Sequence, residues 1–191
     1  MYWVNQDPMQ LWLAIPAVGL TIVHLPIYDY YKESYLRMTR LDRGGEGSDE
    51  AEITALAEKS KSMGFVAHFT MTHVLLPFVQ TQGRLIRLLN PRALREGISI
   101  DRDDRTVAIY RKHNLWPMRL WTIVSLAPHS YMMAICAMFD RLDIYLWIRL
   151  FGMNSVFVIA TLWQRRATAA TLDELNELGV VHADEPELAA A

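Results

Sequence analysis

The chain has 191 residues, 52% of them hydrophobic, which fits a single domain. A formal charge of −2 argues against a nucleic-acid partner. The single cysteine, Cys136, excludes an internal disulfide, a Cys-based zinc site and a thioredoxin-like motif. Mean hydropathy is close to neutral, because the charge is segregated into two loops and a tail.

Four stretches are almost free of charge. Pro8 to Tyr28 holds 21 uncharged residues, Ser62 to Gly83 holds 22, and Leu120 to Phe139 holds 20. The fourth runs from Leu150 to Gln164 and extends back to Ile144 across Arg149 alone. About 20 apolar residues in a helix cross the hydrocarbon core of a bilayer. A core helix of a soluble protein would carry a polar stripe at a period near 3.6. The run from Leu11 to Leu20 has none, and neither does Met132 to Phe139. The expected fold is therefore an all-α polytopic helical membrane protein. Its spans fall at about 9–30, 62–81, 118–139 and 144–164, within a transmembrane domain covering 1–166.

In chain order, residues 1–7 lack the basic region of a secretory signal, so the first span is expected to be a permanent helix. Trp12 stands near its start, and Tyr28, Tyr30, Tyr31 and Tyr35 crowd its end, as interfacial aromatics do. Residues 31–61 are charged and helix-prone, broken at the glycine-rich run 43–48. Carboxylates at Asp49, Glu50 and Glu52 suit a helix N-terminus after that break. The second span follows. The basic loop 84–115 then contains an amphipathic segment, Leu85 to Leu89, and a turn at Asn90-Pro91. Ile98 to Ile100 and Val107 to Tyr110 are expected to pair as a small hairpin. Pro117 is expected in the first turn of the third helix. Only Asp140 to Asp143 joins the third and fourth spans, so these form a tight antiparallel hairpin. In 167–191, Thr171 and Glu174 have capping-box spacing for a short amphipathic helix ended by Gly179. A disordered acidic tail is expected beyond His182.

Orientation follows from Lys and Arg counts. There are six in 31–61, eight in 84–112, one at Arg141 and two after the last span. Four spans divide these ten against seven, a weak bias toward cytoplasmic termini. If 62–83 does not cross, they divide sixteen against one. The second segment is also the most polar, with His68, Thr70, Thr72, His73, Gln80, Thr81 and Gln82. Its length still suffices to cross, and four helices are expected.

Ionisable groups at membrane depth are functional candidates. These are His24, His68, His73, His129 and Arg149, with Asn154 beside them. His73 and His129 share a mid-membrane depth in a four-span bundle, and His24 and His68 share another. Either pair is the minimum for a bis-histidine b-type haem. His68 and His73 are about 7.5 Å apart along a helix and about 140° around it, so they cannot chelate one metal from one face. The structural alternative is hydrogen bonding between helices. In that reading His129 and Asn154 lie opposite each other and brace the hairpin, while Arg149 snorkels or pairs with Asp140 or Asp143. The spans lack Asp and Glu beyond the boundary residue Asp29, which argues against proton-driven transport.

No Ser–His–acid order, glycine-rich phosphate loop or HExxH motif is present. The expected function is therefore an integral membrane accessory, anchor or assembly subunit of a larger complex, contacting lipids and other membrane subunits. Compactness and the absence of eukaryotic targeting features point to a bacterial inner membrane. The alternatives are a haem-b electron-transfer subunit and a small membrane enzyme with a site among His68, His73, His129 and Asn154.

Overall fold

The computed structural model describes residues 8–40, 50–62, 64–93, 98–100 and 103–183. The break at 43–48 and the acidic tail past Ala183 lie outside these. The fold is all-α apart from one short two-stranded ladder. Helix α1 is Pro8–Thr39 and α2 is Glu50–Ser60. Helix α3 (Phe65–Thr70) passes through a π-helical turn, Met71–Leu75, into α4 (Leu76–Leu89). Helix α5 is Asp104–Val124 and α6 is Leu126–Met138. Helix α7 (Leu142–Trp147) passes through a second π-helical turn, Ile148–Gly152, into α8 (Met153–Glu177). Strands β1 (Ile98–Ile100) and β2 (Val181–Ala183) pair antiparallel, with Ser99 opposite His182.

Three helical stretches among the described residues are long and apolar enough to cross a membrane: Leu11–Thr39, Asp104–Met138 and Leu142–Glu177. Their length and composition are those of membrane-spanning helices. The segment 62–81 is not among the three. Its helix starts at Phe65 and widens at the π-turn. Its main packing partner outside its own length is α2, until Gln82 reaches the bundle.

The three long helices pack on seams with heptad spacing, residues three and four apart alternating, as in left-handed bundles. In α5 the buried positions Val107, Tyr110, Asn114, Pro117, Trp121 and Val124 follow this rule. In α8, Thr161, Gln164, Thr168, Thr171 and Leu175 do the same. The same spacing places His24, Ile27, Tyr31 and Met38 on the inner face of α1. Ile27, Tyr31, Ile86, Met118, Trp121, Val124 and Ala160 form the apolar centre, with the Tyr31 and Trp121 rings 5.2 Å apart.

Several sequence expectations need correction. Val107 to Tyr110 is helical and does not pair with Ile98 to Ile100. Asp103 caps α5 by accepting a 2.7 Å hydrogen bond from the Thr106 N–H, so the helix begins before the β-prone run. Ile98 to Ile100 is a strand, with β2 as its partner. Pro117 therefore lies well inside α5 rather than in its first turn. The third span is interrupted at Ser125, whose extended backbone (ψ 167°) separates α5 from α6. Pro128 then occupies the first turn of α6, where its missing N–H is harmless. Thr171 caps nothing, because α8 runs unbroken through residues 167–177. Its hydroxyl donates to the Ala167 carbonyl. Gly179 does end the helix, at φ +67°, a conformation glycine adopts without strain.

Candidate functional site

Two polar clusters lie on the bundle axis. The first is at membrane depth, where α7 turns into α8. The π-turn Ile148–Gly152 carries Arg149, which is only 2% exposed. Its Nε and NH2 groups donate to Thr21 Oγ1 at 3.1 and 2.6 Å. Its NH1 group donates to His24 Nδ1 at 3.3 Å, so this nitrogen accepts and the His24 ring is neutral in this geometry. The His24 ring stacks on Phe157 with centroids 4.2 Å apart, and the Asn154 amide lies beside it. Thr21 and His24 come from α1. The arginine thus ties the first long helix to the last.

The expected pairings take a different form. Arg149 is not bonded to Asp140 or Asp143, because Arg141 takes Asp143 in a surface pair at 3.1 Å. Asn154 donates to the Leu150 carbonyl of its own helix rather than to His129. His129 is 4% exposed and neither ring nitrogen has a hydrogen-bond partner. His73 is exposed on the π-turn Met71–Leu75, stacked on Phe69 at 4.8 Å and directed to the Phe69 carbonyl. His68 meets Ser60 at 3.2 Å and Thr72 at 3.4 Å. The bis-histidine pairs His73–His129 and His24–His68 are therefore not assembled. His68 and His73 belong to the α2–α4 hairpin, and His24 and His129 belong to the bundle. Among the described residues no three His, Cys, Asp or Glu side chains converge as a metal set. Arg119, at the start of the third span, stacks over the Trp116 ring at 4.6 Å.

The second cluster lies at the tyrosine-rich end of the bundle, and the sequence reading missed it. Asn114 on α5 donates to Thr171 Oγ1 at 2.9 Å and to the Tyr110 carbonyl at 3.0 Å. It accepts from Gln164 Nε2 at 2.7 Å. Asn90, just past α4, donates to Thr168 Oγ1 at 3.0 Å. Arg111 donates to the Thr39 carbonyl at the end of α1. At the surface, Lys112 and His113 both contact Glu174, at 2.9 and 2.7 Å. These bonds bring α1, α5, α8 and the end of α4 to one level. Gln82 adds a 2.7 Å bond to the Pro26 carbonyl of α1.

No known family model matches the chain, and no curated protein or solved structure is detectably similar to it. The site must therefore be read from its own chemistry.

A signal for the second cluster existed in the sequence. Thr161, Gln164, Thr168 and Thr171 repeat at three and four residues, a polar stripe along one helix face. It was obscured because the stripe is uncharged, and its first half lies inside a span identified by lack of charge. The buried side chains of the cluster are amides and hydroxyls, which order helices through hydrogen bonds, and the charged pairs of Glu174 with Lys112 and His113 lie at its surface edge.

Proposed function

We propose that this protein is an accessory or assembly subunit of a larger membrane complex, with no catalysis of its own. The observation that carries this reading is the use made of Arg149. It is the charged group deepest in the spans, and it bonds Thr21 and His24 of another helix. An ionisable group at that depth marks a pathway or a reaction centre in many membrane proteins. Here its donors brace the first span against the last. At the tyrosine end the side-chain amides of Asn90, Asn114 and Gln164 likewise donate to neighbouring helices or side chains. The apolar side chains facing outward in the lipid half, among them Trp12, Ile15, Ile22, Ile135 and Phe139, suit contact with lipid or with neighbouring subunits.

The topology that fits this reading has three spans, not four. Thr39 and Asn90 are both anchored at the tyrosine end, through Arg111 and Thr168. The chain between them crosses an even number of times. Helix α2 is unsuited to crossing, since Glu50, Glu52, Glu58 and Lys59 lie within it. The α2–α4 hairpin then rests at the interface, and Lys and Arg divide sixteen against one, as the positive-inside rule prefers. In a bacterial inner membrane the tyrosine end faces the cytoplasm, where the charged hairpin and the basic loop can dock a partner.

The test is gentle extraction in detergent, with co-purifying bands identified and a reduced-minus-oxidised spectrum taken on the same sample. Stoichiometric partners with no haem band are expected. A haem band lost on His129→Ala, or turnover by the isolated protein, would overturn the reading.

A further inference from the structure

The α2–α4 hairpin has one covered side and one bare side. Helix α2 buries Ile53, Ala57 and Ser60, and Ser60 meets His68 across the hairpin at 3.2 Å. Its exposed positions include Glu58 and Lys59, so the outer layer of the hairpin carries charge. On α3 and α4 the bare side is apolar. Phe65, Val66, Phe69, Val74 and Phe78 all face outward, with Phe65 82% and Val66 76% exposed. Phe65 and Phe69 are four residues apart, and so are Val74 and Phe78. The step of five between the two pairs falls on the π-helical turn Met71–Leu75. A π-turn brings residue i over i+5, so the wider turn keeps both pairs on one stripe.

Beyond Phe78 the exposed side becomes basic. Arg84 and Arg87 are exposed on the last turns of α4, and Arg92 is exposed just past it. Among the described residues no carboxylate pairs with any of the three. Gln82 bonds the Pro26 carbonyl and Asn90 bonds Thr168, which joins α4 to the bundle beside the Tyr28–Tyr35 cluster. The bare stripe therefore starts from the edge of the bilayer. A helix with an apolar face and flanking arginines lies in the headgroup layer, and anionic lipid strengthens its hold. At that level the nearest counter-charge for the three arginines is lipid phosphate.

We propose that the bare face of α3–α4 binds an anionic bilayer surface. The apolar stripe enters at the base of the headgroups, and Arg84, Arg87 and Arg92 meet lipid phosphates. This rests on the three-span reading and adds a lipid preference to it. The charged outer layer of α2 stays in water.

The full chain carrying Cys136→Ser is given a single cysteine by Val66→Cys, Val74→Cys or Lys59→Cys. Each is labelled with an environment-sensitive fluorophore and reconstituted into vesicles of phosphatidylcholine alone or of an equal mixture with phosphatidylglycerol. Lipids carrying a nitroxide near the headgroup or near the end of the acyl chain report depth. In the mixed vesicles, probes at 66 and 74 are expected to be quenched more by the shallow nitroxide than by the deep one, while the probe at 59 stays in water. That quenching is expected to fall roughly twofold or more in phosphatidylcholine alone. Combining Arg84→Gln with Arg87→Gln changes two exposed side chains, so the fold persists, and is expected to lower the mixed-vesicle signal to the neutral-vesicle level. Equal quenching in the two lipid compositions would overturn the proposal and leave the interfacial hairpin standing. Probes at 66 and 74 that remain in water would overturn it too, as a face reserved for a protein partner gives. A probe at 74 quenched best by the deep nitroxide, with 66 shallow, would place 62–81 across the bilayer, and the three-span reading would fail together with the proposal.

Discussion

The two ends of the bundle are built by different rules. At the tyrosine end, α5 and α8 pair along a seam on which Asn114, Gln164, Thr168 and Thr171 bond to one another or to neighbouring residues. At the hairpin end, α6, α7 and the start of α1 leave most large apolar side chains facing outward. Among the described residues the strong polar link between helices there is Arg149 to Thr21 and His24. Between helices in lipid there is no hydrophobic drive, so close packing and hydrogen bonds carry association. In the watery half the helices can bury apolar surface, and they also keep a buried polar seam. Such a seam costs stability unless every member is bonded. A polar seam of this kind fixes register between helices, as single polar residues do in coiled coils.

This contrast can be broken at either end. The largest expected effect is at the seam. Asn114→Leu strands Gln164 Nε2 and removes the link to Thr171, and should destabilise the detergent-solubilised protein by about 2–3 kcal/mol. A thermal or denaturant midpoint measures it, and an unchanged midpoint would mean the seam does not hold α5 to α8. Next is the lipid half. Thr21→Val removes two donor contacts from Arg149 and should cost about 1–2 kcal/mol. Arg149→Met, which removes the buried charge along with its need for partners, should cost less than Thr21→Val. If Arg149→Met proves the more damaging, the arginine is serving something other than a brace.

The smallest effect sharpens the start of the seam. The Thr106 hydrogen bonds hold the Asp103 carboxyl below its ordinary value of 3.8. A carboxylate held down in the folded state adds stability above that ordinary value. The gain is lost as pH falls through the lower folded value. Stability should therefore decline below about pH 4, and Asp103→Asn, which keeps a capping side chain, should flatten that part of the profile. A profile identical to that of the unmodified chain would remove Asp103 from the account.

Much of the lipid half is legible in the sequence, because a bilayer demands long uncharged runs and α1, α5–α6 and α7–α8 supply them. The Tyr28–Tyr35 cluster likewise marks the boundary where the polar network begins. What was not legible depends on partners distant in sequence. Arg149 has its neighbours at Thr21 and His24, more than 120 residues away, and nothing local distinguishes a brace from a snorkelling side chain. The segment 62–81 illustrates the opposite problem. Its length and lack of charge satisfy the rule for a span, while the sixteen-to-one division of Lys and Arg and the anchoring of Thr39 and Asn90 at one end argue otherwise. The strand at Ile98 to Ile100 follows its local β-propensity but finds β2 rather than the nearer apolar run, which the Asp103 cap commits to α5.

The side of the membrane on which the α2–α4 hairpin lies separates three spans from four. Single cysteines at Ser62→Cys, Arg92→Cys and Arg141→Cys, each in a chain with Cys136→Ser, can be labelled in sealed vesicles with a reagent that does not cross the membrane. Three spans predict that positions 62 and 92 label from the same side and 141 from the other. If position 62 labels together with 141 and opposite to 92, residues 62–81 cross the membrane and the account fails.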